Sequence, residues 1–289
     1  LLIVFSLSNL NAGDFFKYII NLNINYNNGH DSIRKQFVEL QTDKLAIRPM
    51  LVNKLSSVLV YSPNLNKGFR YNPNENINLG LAGFYKWIGL GLSFKLPIIN
   101  NDDAEKGKTT QLDIQANLFA LKYGTDFWAN YYKGFYLSEF GQGLNDDPNK
   151  TRYIRPDIRM MNIGANSYYV FNYKKYANRA PYINMEIQKK SAASFLLMGT
   201  LSFFKVSGDS SIIPGFLYPE FNNVRPFNSA AHYQVGVSPG FGGTLAKNGF
   251  YANMMIFGGP MLQVQDRYWS DGEQLIDLGF GLRVQNRFA

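Results

Sequence analysis

The chain has 289 residues, of which 46% are hydrophobic, 16% aromatic and 17% charged, with a formal net charge of +8. It contains no cysteine and two histidines, which excludes disulfide scaffolds, thiolate metal sites and multi-histidine zinc sites. The basic residues are scattered and accompany no nucleic-acid-binding motif, so the charge does not indicate a nucleic-acid partner.

The amino terminus carries an apolar run over residues 1–7. The run is too short for a transmembrane helix, which needs about 20 apolar residues. Residues 9–12, which come directly after this run, resemble the cleavage region that follows the apolar part of a secretory signal peptide. We therefore expect residues 1–12 to be a signal-peptide remnant, residues 13–43 a periplasmic lead segment and residues 44–289 the main domain. A buried strand is the alternative for residues 1–7.

From about residue 77 onward, apolar and polar residues alternate with the period of two that is typical of β-strands. Residues 88–96 place every large apolar side chain at an even position, and residues 276–284 repeat the pattern. The runs are about ten to fifteen residues long, which exceeds the usual sandwich strand and suffices to cross a membrane at a tilt. Tyrosine and tryptophan cluster at the strand ends, as in an interfacial aromatic girdle. The pattern predicts an all-β, transmembrane antiparallel barrel.

Short and long connections alternate along these strands. Short turns are predicted at residues 87–88, 122–124 and 246–249, and long connections at residues 62–76, 98–109, 138–156, 208–230 and 265–274. We expect residues 44–62 to form one bent strand, and a strand to start at Ala180 after a turn at residues 174–178. The result is an up-and-down barrel of about ten strands, with short periplasmic turns and long extracellular loops.

Charged residues on the polar face of the strands are expected to line the lumen. These lumen-facing candidates are Lys86, Lys95, Asp113, Asp126, Asp277, Arg283 and Arg287. Interlocking of these side chains would close such a narrow barrel, whereas a continuous water path would make it a pore. The sequence leaves both alternatives open.

The histidines offer little support for catalysis. Barrel hydrolases need a histidine paired with serine or aspartate at one rim. His232 is the only histidine within the predicted strands, and His30 lies upstream of them. We expect His232 to be a hydrogen-bonded wall residue, and the protein to have no enzymatic activity, cofactor or metal site.

The connection over residues 208–230 is unusually apolar and contains three prolines. Leaving such a segment in water would be unfavourable, so we expect it either to fold over the barrel mouth or to contact a partner. The candidates for this plug or partner contact are Ile213, Phe216, Tyr218 and Phe221.

Several motifs resemble one family of envelope proteins from Bacteroidota, catalogued as domain of unknown function 4421. The similar stretches are residues 43–48 (DKLAIR), 69–74 (FRYNPN), 78–81 (NLGL), 85–87 (YKW), 132–136 (YKGFY), 155–158 (RPDI) and 188–192 (QKKSA). The resemblance spans roughly residues 40–288. It implies an outer-membrane location and supplies no activity, ligand or catalytic residue.

The sequence therefore predicts an outer-membrane β-barrel surrounded by lipid and lipopolysaccharide. Solute passage through a narrow, porin-like pore or carrier is the first functional hypothesis. The alternative is a non-conducting structural or assembly barrel that binds an envelope protein partner through its long loops.

Overall fold

The structure is a computed structural model that describes most of the chain beyond residue 31. The described residues are 32–40, 45–52, 56–62, 64–74, 78–85, 88–95, 102–140, 153–180, 186–219, 221, 224–247 and 250–288. The predicted signal-peptide remnant, most of the lead segment, His30 and Lys86 lie outside these residues. Within them, no helix combines the length and the apolar character that a membrane span requires.

Strands dominate the described residues, which also contain two short helices, α1 (Ser32–Phe37) and α2 (Asp103–Lys106), and one 3-10 turn (Gly215–Leu217). The strands are β1 (Val38–Leu40), β2 (Ala46–Val52), β3 (Val58–Ser62), β4 (Lys67–Asn72), β5 (Asn78–Tyr85), β6 (Ile88–Lys95), β7 (Thr110–Phe119), β8 (Tyr123–Phe140), β9 (Ile154–Val170), β10 (Glu186–Gln188), β11 (Ala192–Ser207), β12 (Phe227–Lys247), β13 (Phe250–Trp269) and β14 (Gln274–Phe288). The predicted all-β class is confirmed.

One antiparallel sheet runs in the order β2-β5-β6-β7-β8-β9-β11-β12-β13-β14, so its strands follow chain order. β3 and β4 form a hairpin that joins the sheet where β4 pairs with β8. β1 and β10 form a separate two-stranded sheet. Within the described ranges no pairing joins β2 to β14, which are the two edges of the main path.

The two faces of the sheet have opposite polarity. On β5, Leu79 and Leu81 are exposed, while Asn78 and Ala82 on either side of them are buried. On β14, Leu282 is 78% exposed, although its side chain is fully apolar. The other face buries polar residues, namely Asn78, Ser93, Asp113, Asp126, Asn166, Thr200, Ser238, Thr244 and Asn253. Because side chains alternate with a period of two, each strand presents apolar side chains on the exposed face and polar side chains on the buried face.

The polar face is concave. Arg287 of β14 forms an ion pair with Asp126 of β8, and Asn166 of β9 donates a hydrogen bond to Gln285 of β14 at 3.2 Å. In a flat sheet β14 and β8 would lie about 24 Å apart, since five steps of about 4.8 Å separate them. Side chains cannot span that distance, so the sheet curls around an interior. We call the concave polar face inward and the apolar face outward.

The strand directions define two ends of this curved sheet. The strands β5, β7, β9 and β12 finish at one end, here called the short-turn end. The strands β2, β6, β8, β11 and β13 finish at the other, here called the long-loop end.

Two of the predicted boundaries on the long-loop side are wrong. Residues 44–62 contain two strands with different partners, because β2 pairs with β5 whereas β3 pairs with β4. The predicted long connection at residues 62–76 contains β4, whose Phe69 and Tyr71 are buried. Burial of these two aromatic rings in the interior accounts for a hairpin that alternation alone does not reveal.

Two further boundaries are also corrected. β13 continues to Trp269 and β14 begins at Gln274, so the predicted long loop at residues 265–274 is mostly strand, and only residues 270–273 form a tight turn. No strand starts at Ala180, since residues 171–175 form turns and β11 begins only at Ala192. Residues 176–180, which lie between them, are buried in the interior, where Arg179 forms an ion pair with Glu186.

Gly134 generates a stability prediction, because it lies at a register shift of β8 with a φ of 93°. A Cβ atom there would lie 2.2 Å from the Lys108 carbonyl oxygen. Gly134→Ala should therefore lower the free energy of unfolding by about 2 kcal/mol or more, through backbone strain and this clash. The measurement is the urea midpoint of the purified, folded protein. Gly83→Ala is the matched control, because no atom lies within 4 Å of its Cβ position. Equal midpoints for the two variants would contradict the prediction.

Candidate functional site

The candidate site is the interior enclosed by the inward face, and it has three layers. An apolar cluster occupies the long-loop end, a polar cavity lies in the middle, and a folded chain segment fills the short-turn end. Each layer draws side chains from several strands, so the curvature of the sheet is what brings them together.

The connection between β11 and β12 folds into the interior at the long-loop end. Ile212, Ile213, Leu217 and Phe221 are each at most 1% exposed. We call their surroundings the mouth cluster, which also contains Phe69, Tyr71, Tyr132, Phe135, Ile158, Met160 and Val206. Burying each large apolar side chain contributes roughly 1.5–3 kcal/mol, so the cluster holds the connection in place.

Two specific contacts orient the mouth cluster. The Tyr71 hydroxyl donates a hydrogen bond to the Ile212 carbonyl at 3.0 Å. The rings of Phe69 and Phe221 meet edge to face with centroids 5.4 Å apart. The β3–β4 hairpin and the β11–β12 connection therefore contact each other inside the mouth.

The four plug candidates divide into two pairs. Ile213 and Phe221 are buried in the mouth cluster, whereas Phe216 and Tyr218 are 42% and 41% exposed. Phe216 packs edge to face against Tyr153, with centroids 5.2 Å apart. The buried half of this connection folds over the interior, which is the first of the two predicted alternatives. Its exposed half presents an aromatic surface.

Arg155 anchors the start of this connection. Its guanidinium group donates to both carboxylate oxygens of Asp157 at 2.8 Å, to the Ser211 carbonyl at 2.8 Å and to the Ser210 hydroxyl at 3.0 Å. The Asp209 backbone N–H donates to the same Asp157 carboxylate at 3.0 Å. The hydrogen bond from Arg155 lowers the pKa of Asp157 to about 2. The sequence analysis did not single out either residue for this role.

The middle layer is a polar cavity of about 450 Å³. Its lining residues are Gln115, Asn117, Asp126, Phe127, Trp128, Asn130, Asn166, Arg283, Gln285 and Arg287. Asp126 accepts a hydrogen bond from Asn117 at 2.7 Å and pairs with Arg287. The cavity therefore brings together three of the lumen-facing candidates, Asp126, Arg283 and Arg287.

The other lumen-facing candidates lie elsewhere. Asp113 is on the inward face of β7, where it accepts hydrogen bonds from Tyr132 at 2.8 Å and from Asn130. Asp277 pairs with Arg267 at 2.8 Å, nearer the long-loop end. The side chain of Lys95 and the whole of Lys86 lie outside the described residues.

His232 shows no catalytic arrangement. It is half-buried on β12, and its ring lies 6.0 Å from that of Phe204. In the part of the chain that the structure describes, no hydrogen bond joins His232 to a serine or a carboxylate. The same residues contain no cluster of three or more histidine and carboxylate side chains that could hold a metal ion.

The described part of the connection between β9 and β11 fills the short-turn end, and we call residues 173–180 and 186–190 the short-turn plug. Tyr176 and Arg179 are completely buried. The Tyr176 hydroxyl accepts a hydrogen bond from Asn253 of β13 at 3.1 Å, and Arg179 donates to the Phe119 carbonyl of β7 at 3.4 Å. The plug therefore reaches from β13 across to β7.

A buried ion-pair cluster joins the short-turn plug to α1. Glu186 accepts from Arg34 at 2.5 Å and from Arg179 at 2.8 Å, and all three residues are at most 3% exposed. Burial alone would raise the pKa of Glu186, but the two adjacent guanidinium groups outweigh it and hold the pKa below its usual range. The one sequence signal for this cluster is the connection after β9, which is too long for a simple turn.

Comparison with known proteins adds one finding. The family model described as domain of unknown function (DUF4421) matches residues 30–289. The chain belongs to this family. No curated protein and no solved structure matches it. Because the match begins just before α1, the DUF4421 unit includes the docked helix as well as the sheet.

The ion-pair cluster of this DUF4421 chain generates a prediction for Glu186→Gln. The substitution leaves Arg34 and Arg179 buried without their carboxylate, and the loss of one partner of such a pair costs about 3–5 kcal/mol. We expect α1 and β1 to undock, which hydrogen exchange of residues 32–40 would detect. Glu273→Gln is the matched control, because its ion pair with Arg225 is exposed and should contribute little. Unchanged exchange in Glu186→Gln would contradict the prediction.

Docking of α1 should also depend on pH. Because the pKa of Glu186 is lowered, its contribution is fully present above the ordinary glutamate pKa of about 4.3 and is lost as the pH falls through the lowered value. Hydrogen exchange of residues 32–40, corrected for the intrinsic rate, should be constant from about pH 8 to 5 and increase below about pH 4. A step near neutral pH would show that another group controls docking.

Proposed function

We propose that this chain is an integral β-barrel of a bacterial outer membrane, with an interior that its own segments close at both ends. The reversed polarity of the sheet carries the proposal. Exposed Leu, Ile and Phe side chains on the outward face suit lipid, while buried Asn, Asp and Thr side chains suit a hydrated interior. In lipid every backbone polar group needs an internal partner, which a closed sheet provides.

Closure requires β2 to meet β14, and two observations support their proximity. Arg48 of β2 lies close enough to Tyr251 of β13 for an electrostatic interaction, and β13 is the neighbour of β14. The Asp126–Arg287 ion pair shows that the sheet already curls across its interior. Closure of the main path gives ten strands, an even number as in bacterial outer-membrane barrels.

The proposed orientation puts the short-turn end in the periplasm and the long-loop end outside the cell. β12 and β13 have 21 and 20 residues, about twice what a tilted membrane strand needs, so they extend beyond the lipid. A signal peptide at residues 1–12 and an origin in Bacteroidota belong to the same proposal. Membrane lipid and lipopolysaccharide would then surround the outward face.

A non-conducting barrel is the function that the interior supports best. The mouth cluster and the short-turn plug are buried segments of the chain itself, and each crosses the interior at one end. The exposed Phe216 and Tyr218 would be the surface for an envelope protein partner. No feature described above suggests an enzyme.

A gated carrier for small solutes is the second candidate, and the polar cavity favours it. Its lining carries hydrogen-bonding side chains from β7, β8, β9 and β14, and it lies between the mouth cluster and the short-turn plug. Passage of a solute would therefore require displacement of both the mouth cluster and the short-turn plug. This distinguishes the candidate from an open, porin-like pore.

Planar-bilayer conductance tests the closed interior. The wild-type protein should give no steady conductance, because both ends are filled. Replacement of residues 210–224 by a short Gly-Ser linker, here called the mouth variant, should remain closed, since the short-turn plug persists. Combining it with a linker in place of residues 174–187 should produce channels.

The matched control inserts the same linker into the turn at residues 270–273, which contributes nothing to the mouth cluster. Its conductance should equal that of the wild type. Steady channels in the wild-type protein would contradict the closed interior, and a protein that remains soluble and monomeric without detergent would contradict the membrane barrel.

A further inference from the structure

Arg283 in the polar cavity has an unbalanced charge. It is half-buried on the inward face of β14 and donates a hydrogen bond to the Gln285 side chain at 3.1 Å. Its neighbour Arg287 pairs with Asp126, whereas no carboxylate of the described residues forms an ion pair with Arg283. A guanidinium group does not lose its proton in proteins, so it needs a counter-charge or water when it leaves bulk solvent.

The whole lining of the cavity also has a net positive charge. Its ionisable residues are Asp126, Arg283 and Arg287, which together leave one positive charge in excess. The rest of the lining is mainly amide side chains, such as Asn130 and Asn166, which offer both donors and acceptors. The cavity is thus suited to a polar ligand with one negative charge.

There is also room beside Arg283. A Cβ atom at Gly281, the next inward position of β14, would meet nothing within 4 Å. The cavity volume of about 450 Å³ lies within the range of about 300–1,000 Å³ that is usual for small-molecule sites.

We propose that the polar cavity binds a small organic anion, whose carboxylate or phosphate group pairs with Arg283. The planar fork of the guanidinium group matches two oxygens of such an oxyanion, which a spherical ion such as chloride cannot offer. The amide side chains around it bind the remaining polar groups of the ligand. The inference concerns the occupant of the cavity and does not depend on whether the barrel conducts.

Isothermal titration calorimetry on the full, detergent-folded chain tests this proposal. The probes are inorganic phosphate, at a slightly acidic pH where the monoanion predominates, and lactate, titrated into the wild-type protein and into the mouth variant, in which the interior is easier to reach. We expect saturable binding of at least one probe at one site per chain. Absence of binding to both proteins would overturn the proposal, and equal competition by chloride would overturn the oxyanion assignment.

Substitutions at Arg283 locate the site. Arg283→Gln should weaken binding by about tenfold to a hundredfold, because it removes a charge-assisted hydrogen-bonded pair. Arg283→Lys keeps the charge but loses the fork, so it should weaken binding less, and it serves if the glutamine variant fails to fold. Arg159→Gln is the matched control, since Arg159 is exposed and pairs with Asp209. Unchanged affinity in both Arg283 variants would overturn the assignment.

The outcome is independent of the proposed function. Binding in detergent with a conducting wild-type protein would retain the anion site and reject the closed interior. A wild-type protein that neither conducts nor binds the probes would reject the anion site and retain the closed interior.

Discussion

A strongly curved sheet encloses more space than its own inward side chains fill, and the rest of this structure follows from that constraint. One long connection at each end of the described sheet folds inward rather than away, the one between β11 and β12 and the one between β9 and β11. Each is fixed by a buried guanidinium group, Arg155 at the long-loop end and Arg179 at the short-turn end. Arginine suits this task because its rigid fork can bond backbone carbonyls and a carboxylate at once. What remains between the two segments is the polar cavity.

The strands could be predicted from the sequence because their signal is local. Alternation with a period of two needs only neighbouring residues, and it placed residues 276–284 in a strand with the correct face outward. It also placed Asp126 and Arg287 on one face, although not in contact with each other. Their ion pair joins residues that are 161 positions apart in the sequence. The alternation within each strand does not indicate which residue of a distant strand a side chain will contact.

The errors of prediction share a physical cause. The β3–β4 hairpin and the chain after Tyr173 were misassigned because their positions depend on burial against distant strands rather than on local alternation. Residues 265–274 were misassigned for a different reason. There β13 and β14 extend past the apolar band, so polar residues occupy both faces and the alternation disappears while the pairing continues.

The contact between Arg34 and Glu186 also constrains the order in which the molecule forms. The two residues are 152 positions apart, so α1 cannot form this ion pair until residue 186 has been synthesised. Contacts of such separation form late, because they require closure of a very long loop. Helix α1 therefore docks only after the strands around it have assembled. Until it docks, Glu186 has Arg179 as its one counter-charge in this cluster, so the short-turn plug acquires its complete set of ion pairs only when α1 arrives.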